Sequence, residues 1–180
     1  AGYSCPGRIG LVEHFRIGII MDEIRLLLVD DEINFLNPIA KRLGKRGYPS
    51  TVANSGKEAL SVLKKGTMDV VVLDVKMPGM SGIETLQEIK SKYPDTEVIL
   101  LTGQASAKDG VEGIKAGAFD YLTKPIELEH LIEKIRQAYD KILHKEEKKK
   151  EAEFRLRLEQ QMIATERLAS LGTLATGVAH

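Results

Sequence analysis

Residues 70–79 read Val70-Val71-Val72-Leu73-Asp74-Val75-Lys76-Met77-Pro78-Gly79, and this stretch decides the fold. Its leading run of apolar residues is too short for a helix. Bounded by Asp69 and a Pro-Gly turn, it reads as a strand buried on both faces of a parallel sheet. The run ends in one carboxylate, Asp74, where the strand gives way to a loop. In open α/β sheets, ligands bind at the carboxyl ends of the strands. An aspartate there is a phosphoryl acceptor, a metal ligand or a cap on the next turn, and Asp74 alone does not choose among them.

The same pattern recurs on both sides of it. Residues 24–29 form a second apolar strand that ends in Asp30-Asp31-Glu32. Phe35, Ile39 and Leu43 follow at helical spacing, and Gly47 stops that helix. A short strand over 48–53 leads to Asn54-Ser55, which can cap a helix ending at Gly66. After Asp74, Ser81 and Gly82 open a third helix. Residues 98–101 make a strand ending in Thr102-Gly103, and a weaker helix spans about 107–116. A fifth strand over 119–122 ends in Thr123-Lys124-Pro125, and a long helix starts near Glu127. Strands alternating with helices through short loops predict an α/β fold, a doubly wound five-stranded parallel sheet covered on both faces.

In this arrangement the strand ends deliver Asp30, Asp31, Asp74, Thr102 and Lys124 to one edge. Converging carboxylates repel, and a hard cation such as Mg²⁺ relieves the repulsion while keeping waters for phosphate oxygens. A threonine hydroxyl and a lysine ammonium suit phosphoryl oxygens better than a neutral substrate. Asp74 can then act as a carboxylate nucleophile giving an acyl phosphate. Gly103 leaves room beside Thr102 for the incoming group. Each residue alone has a plainer reading as a cap or a loop residue; their joint arrival at one edge argues for a site.

Residues 24–140 resemble the receiver domain of bacterial two-component response regulators. The resemblance rests on Val29-Asp30-Asp31-Glu32, on Asp74-Val75-Lys76-Met77-Pro78-Gly79-Met80-Ser81-Gly82, on Leu101-Thr102-Gly103 and on Tyr121-Leu122-Thr123-Lys124-Pro125. It implies a flavodoxin-like receiver in which Asp74 is phosphorylated by a phosphohistidine donor protein. It further implies Mg²⁺ held by Asp30, Asp31, Asp74 and the main-chain carbonyl of Lys76. Thr102 and Lys124 would contact the phosphoryl group, and Tyr121 would be an aromatic switch moving inward as the threonine engages it. A hydrolytic phosphatase using Asp74 is disfavoured, because such enzymes need a second acid at the position that Lys76 occupies.

Beyond Pro125 no proline or glycine occurs until Gly172, which predicts a long helix. Leu128, Leu131, Ile132 and Ile135 are expected to cover the sheet. Residues 141–163 read as a charged helical linker, in which Glu146–Lys150 and Lys149–Glu153 stand at i,i+4. Ala164, Leu168, Leu171, Ala175 and Val178 then alternate spacings of four and three, the pattern of a coiled-coil seam and of a homodimer through this helix. Residues 166–180 resemble the start of the dimerisation and histidine-phosphotransfer domain of sensor histidine kinases, up to a phosphoacceptor His180. On that resemblance, residues 164–180 are a truncated first helix of that domain, and the chain is an N-terminal piece of a receiver-containing, hybrid histidine kinase. Lacking an ATP-binding domain, it is expected to catalyse at most its own aspartyl phosphorylation and dephosphorylation. The alternative is a free-standing response regulator with a coiled-coil partner-binding tail.

Composition sets the remaining bounds. Formal net charge is zero across 180 residues, so no global field favours nucleic acid, and none is expected as a partner. Cys5 is the only cysteine, which excludes an intrachain disulfide and is in keeping with a reducing, cytoplasmic setting. No apolar run reaches the roughly 18 residues of a membrane-spanning helix. Residues 1–20 precede Met21 and read as a leader or tag with no assigned function, with the receiver running over 21–140.

Overall fold

The computed structural model describes residues 24–103 and 107–177. They fall into two compact units, one ending at Ile142 and the other starting at Leu143.

The first unit is a parallel sheet of five strands: β1 (Leu26–Val29), β2 (Ser50–Ala53), β3 (Val70–Asp74), β4 (Glu97–Thr102) and β5 (Asp120–Thr123). Their spatial order is β2-β1-β3-β4-β5. Helices α1 (Ile33–Lys45), α2 (Gly56–Lys65), α3 (Gly82–Lys92) and α4 (Ala107–Lys115) connect successive strands. The fold is the expected doubly wound α/β sheet of flavodoxin-like receivers, followed by a long helix α5 (Leu128–Gly177). Every residue of β1, β3 and β4 is buried, as continuous apolar runs covered on both faces must be. Burying each of the valines and leucines of β3 contributes about 1.5–3 kcal/mol against leaving it exposed. The edge strand β2 is largely exposed until Ala53.

Several boundaries differ from those the sequence suggests. Only residues 50–53 of the segment 48–53 pair with β1, while Tyr48 packs into the core just before the strand. The fifth strand starts one residue late, with the Phe119 N–H already donating to the Val98 carbonyl at 2.7 Å. Helix α1 accommodates Pro38 in its interior, forfeiting one backbone donor, and the burial of Leu36 and Leu43 holds it in place.

Loop chemistry fixes the approach of α3 to the sheet. Ser81 and Glu84 form a capping box: the Ser81 side chain accepts from the Glu84 N–H, and the Glu84 carboxylate accepts from the Ser81 N–H at 2.9 Å. Gly82 follows, its N–H donating to the Val75 carbonyl at 2.9 Å. A β-carbon at Gly82 would collide with the main chain of Asp74 and Val75. Glycine is therefore what lets this helix start against the end of β3.

Within the first unit, Leu128, Leu131, Ile135, Ala138, Tyr139 and Ile142 are the buried residues of α5. Ile132, expected among them, is only half-buried. In the second unit, α5 carries exposed large apolar residues, among them Phe154 and Leu171 at 63% and Met162 at 72%. Among the described residues, no helix is long and apolar enough to cross a membrane.

Candidate functional site

The strand order reverses between β1 and β3, which pair in parallel with Val29 opposite Leu73. The next residue on each strand is an aspartate, so Asp30 and Asp74 emerge side by side at the crevice where such sheets bind ligands. Both are buried, at 2% and 4% exposure. Each has one oxygen fixed by a local main-chain donor. The Glu32 N–H donates to Asp30 Oδ1 at 2.8 Å, and the Lys76 N–H donates to Asp74 Oδ2 at 2.8 Å.

Lys124 closes the arrangement. Its Nζ donates to Asp30 Oδ2 at 2.6 Å and stands 2.8 Å from Asp74 Oδ1. It reaches them from the end of β5, where the Lys124 N–H donates to the Thr102 carbonyl at 2.7 Å. Thr102 is fully buried at the end of β4. Burial pushes the Asp74 carboxyl above its ordinary value, the Lys124 ammonium acting in the opposite direction without cancelling it. For Lys124, burial favours the neutral form, but the two aspartates outweigh it and hold the ammonium above its usual range.

The structure thus brings Asp30, Asp74, Thr102 and Lys124 to one edge. Asp31 lies next to Asp30 in sequence and is exposed. Lys76 is exposed as a side chain and touches Asp74 through its main-chain N–H. Tyr121 is half-buried on β5, and a β-carbon on Gly110 of α4 would press on its ring. A β-carbon at Gly103 would meet no described atom within 4 Å. His180, Val178 and residues 1–20 lie outside the described residues.

Among the described residues, no group of three or more carboxylates, histidines or cysteines stands together as a preformed metal cage. The donors nevertheless suit Mg²⁺, a cation bound through one or two carboxylates with retained waters. Asp30 and Asp74 supply a buried carboxylate pair bridged, among the described residues, by the one Lys124 ammonium, which leaves capacity for a further cation. One residue near this site escaped the sequence reading. Phe35, legible there only as an apolar position of α1, places its ring 4.3 Å from Lys124 Nζ.

A five-stranded sheet in this order, with paired aspartates and a lysine at the reversal point, defines a response-regulator receiver. The family model for the response regulator receiver domain matches residues 26–136, and the chain belongs to that family. It is accordingly a receiver of two-component signalling, a class that accepts phosphate from histidine kinases. The uncharacterized transcriptional regulatory protein YkoG of Bacillus subtilis is 39% identical over 118 residues, 66% of this chain and 52% of its own length. The transcriptional regulatory protein ZraR of Escherichia coli is 40% identical over 110 residues, 61% of this chain and 25% of its own length. The chain therefore spans about half of the first relative and a quarter of the second. A solved CheY-like receiver domain protein from Methanospirillum hungatei superposes with a TM-score of 0.65 at 30% identity, covering 68% of this chain and 98% of its own.

Proposed function

We propose that Asp74 is the phosphoryl acceptor of this receiver. The observation that carries this reading is the buried Asp74 carboxylate at the end of β3, held 2.8 Å from the Lys124 ammonium. A carboxylate oxygen of Asp74 attacks the phosphorus of a phosphohistidine protein. The P–N bond breaks, the donor imidazole leaves, and an acyl phosphate remains on Asp74. Mg²⁺, held by Asp30, Asp31, Asp74 and the Lys76 carbonyl, would supply charge neutralisation at the phosphoryl oxygens. Lys124 follows the new charge, Thr102 donates its hydroxyl to it, and Tyr121 moves inward. Residues 21–140 constitute this receiver, and its chemistry is confined to its own aspartyl phosphorylation and dephosphorylation.

For the output, the relatives favour a response regulator over a histidine kinase. Residues 141–163 act as a charged helical linker, and the exposed apolar residues beyond them join two copies of the chain through a coiled coil. YkoG and ZraR are transcriptional regulatory proteins, so the expectation that nucleic acid is not a partner is not extended to a whole protein of this kind. A second reading keeps support from one observation, the sequence of residues 166–180. There, residues 164–180 begin a histidine kinase dimerisation domain with His180 as its phosphoacceptor, and α5 couples receiver to kinase core.

The test is intact mass after incubation with Mg²⁺ and acetyl phosphate, beside Asp74→Asn. A single phosphoryl adduct that requires both Mg²⁺ and Asp74 is expected. An adduct that persists in D74N sinks the assignment. A base-stable, acid-labile phosphoryl group on D74N after exposure to histidine kinase cores, lost when His180→Gln is added, would favour the second reading and place the group on His180.

A further inference from the structure

Lys124 has a third neighbour besides the two aspartates. The centroid of the Phe35 ring lies 4.3 Å from Nζ. Phe35 occupies the first turn of α1, where its N–H donates to the Glu32 carbonyl at 2.9 Å. The Glu32 N–H in turn donates to Asp30 Oδ1 at 2.8 Å. One short turn therefore orients both the Asp30 carboxylate and the Phe35 ring, and both contact the same ammonium.

The chemistry of the two kinds of contact differs. An ammonium carries three N–H donors, and Asp30 Oδ2 and Asp74 Oδ1 engage two of them. An aromatic face attracts the cation through its quadrupole but offers neither a lone pair nor a proton. With the Lys124 side chain only 13% exposed, water does little to weaken that attraction. A carboxylate or amide at position 35 would compete with a phosphoryl oxygen for the ammonium. An aliphatic residue would supply no such attraction and would leave the two carboxylates alone to set the position of the ammonium.

We propose that Phe35 is a positioning residue for Lys124: its ring holds the ammonium between Asp30 and Asp74 without competing for the phosphoryl group. The inference rests on the reaction proposed at Asp74. Phe35 itself touches no reacting atom and acts through Lys124.

The experiment is a time course of phosphorylation by acetyl phosphate, read by intact mass. It compares wild type, Phe35→Leu and Phe35→Tyr, each with Lys124 present and in a Lys124→Ala background. Phe35→Leu is expected to slow phosphorylation by about fivefold to thirtyfold, the range spanned by exposed and desolvated cation–π contacts. Phe35→Tyr keeps the rate because it keeps the aromatic face. The Mg²⁺ concentration for half-maximal rate stays that of wild type. In the Lys124→Ala background, Phe35→Leu adds no further slowing to the residual reaction. A wild-type rate in F35L overturns the inference while leaving the Asp74 assignment intact. Equal slowing with and without Lys124 also overturns it, since the ring would then serve only packing. Failure of the wild-type chain to form the adduct overturns the Asp74 assignment, and this inference with it. If F35L does not fold, Phe35→Met, which is close in volume, is read in the same way.

Discussion

The Lys124 ammonium lies 2.8 Å from a carboxylate oxygen of Asp74, although the two residues leave the sheet from β5 and β3, with β4 between them. Two strand spacings amount to roughly 10 Å, so this contact needs a long side chain reaching across the end of β4. Thr102 stands at that end, fully buried. The geometry explains why lysine, with its flexible four-carbon stem, serves at position 124.

Lys124→Ala removes a cation that two buried carboxylates share. It is expected to destabilise the fold at neutral pH by about 3–5 kcal/mol, the range for breaking a buried ion pair. Added Mg²⁺ should recover much of this loss by binding the folded state. Urea unfolding with and without Mg²⁺ measures both effects. An equal loss at any Mg²⁺ concentration would count against Asp30 and Asp74 as cation donors.

Asp74→Asn should melt higher than wild type in the absence of Mg²⁺. Burial raises the Asp74 carboxyl, so its contribution favours folding below the ordinary carboxylate range and is lost as pH rises through the folded value. At neutral pH the buried charge opposes folding, and the amide removes it. The expected rise is roughly 2–4 °C for each kcal/mol relieved. A lower melting temperature for D74N would contradict this account.

Asp120 behaves in the opposite sense. It is partly buried, which alone would raise its carboxyl. The Lys134 ammonium at 2.7 Å and the Tyr121 N–H at 2.8 Å outweigh burial and hold it below its ordinary value. Its contribution is present above the unfolded carboxylate range and lost as pH falls through the depressed folded value. Wild type should therefore exceed Asp120→Asn in stability at pH 7, with the gap closing towards pH 3. Denaturant titrations at the two pH values check this, and a constant gap refutes it.

Two substitutions test how α3 meets β3. Gly82→Ala forces a β-carbon into the main chain of Asp74 and Val75 and should destabilise by about 1–3 kcal/mol. Ser81→Ala removes the cap and should lose about 1 kcal/mol. Gly66→Ala meets nothing within 4 Å and serves as a control, expected within about 0.5 kcal/mol of wild type. Thermal and urea unfolding rank the three.

Much of the site is legible along the chain because each of its charged residues ends a strand. Asp30, Asp74, Thr102 and Lys124 can be named without coordinates, since an apolar run followed by a polar residue marks both the strand and its carboxyl edge. Phe35 is not legible in this way. Its spacing with Ile39 and Leu43 identifies a helix face, and periodicity carries no information about which strand end that face overlooks. Ile132 shows the converse: its apolar character suggests burial, but the helix buries Leu131, Ile135, Ala138 and Tyr139 and leaves Ile132 half-buried.

Sequence alone determines the alternation of strands and helices, the buried character of β3, and the residue type at each strand end. These follow from local hydrophobic period and turn chemistry. Tertiary structure alone decides that β1 lies beside β3, with Val29 opposite Leu73. That adjacency sets two aspartates side by side, leaves their repulsion to be met by Lys124 from two strands away, and brings the Phe35 ring onto the same ammonium. Strand order is a property of crossovers between distant segments, and no local pattern in the chain encodes it.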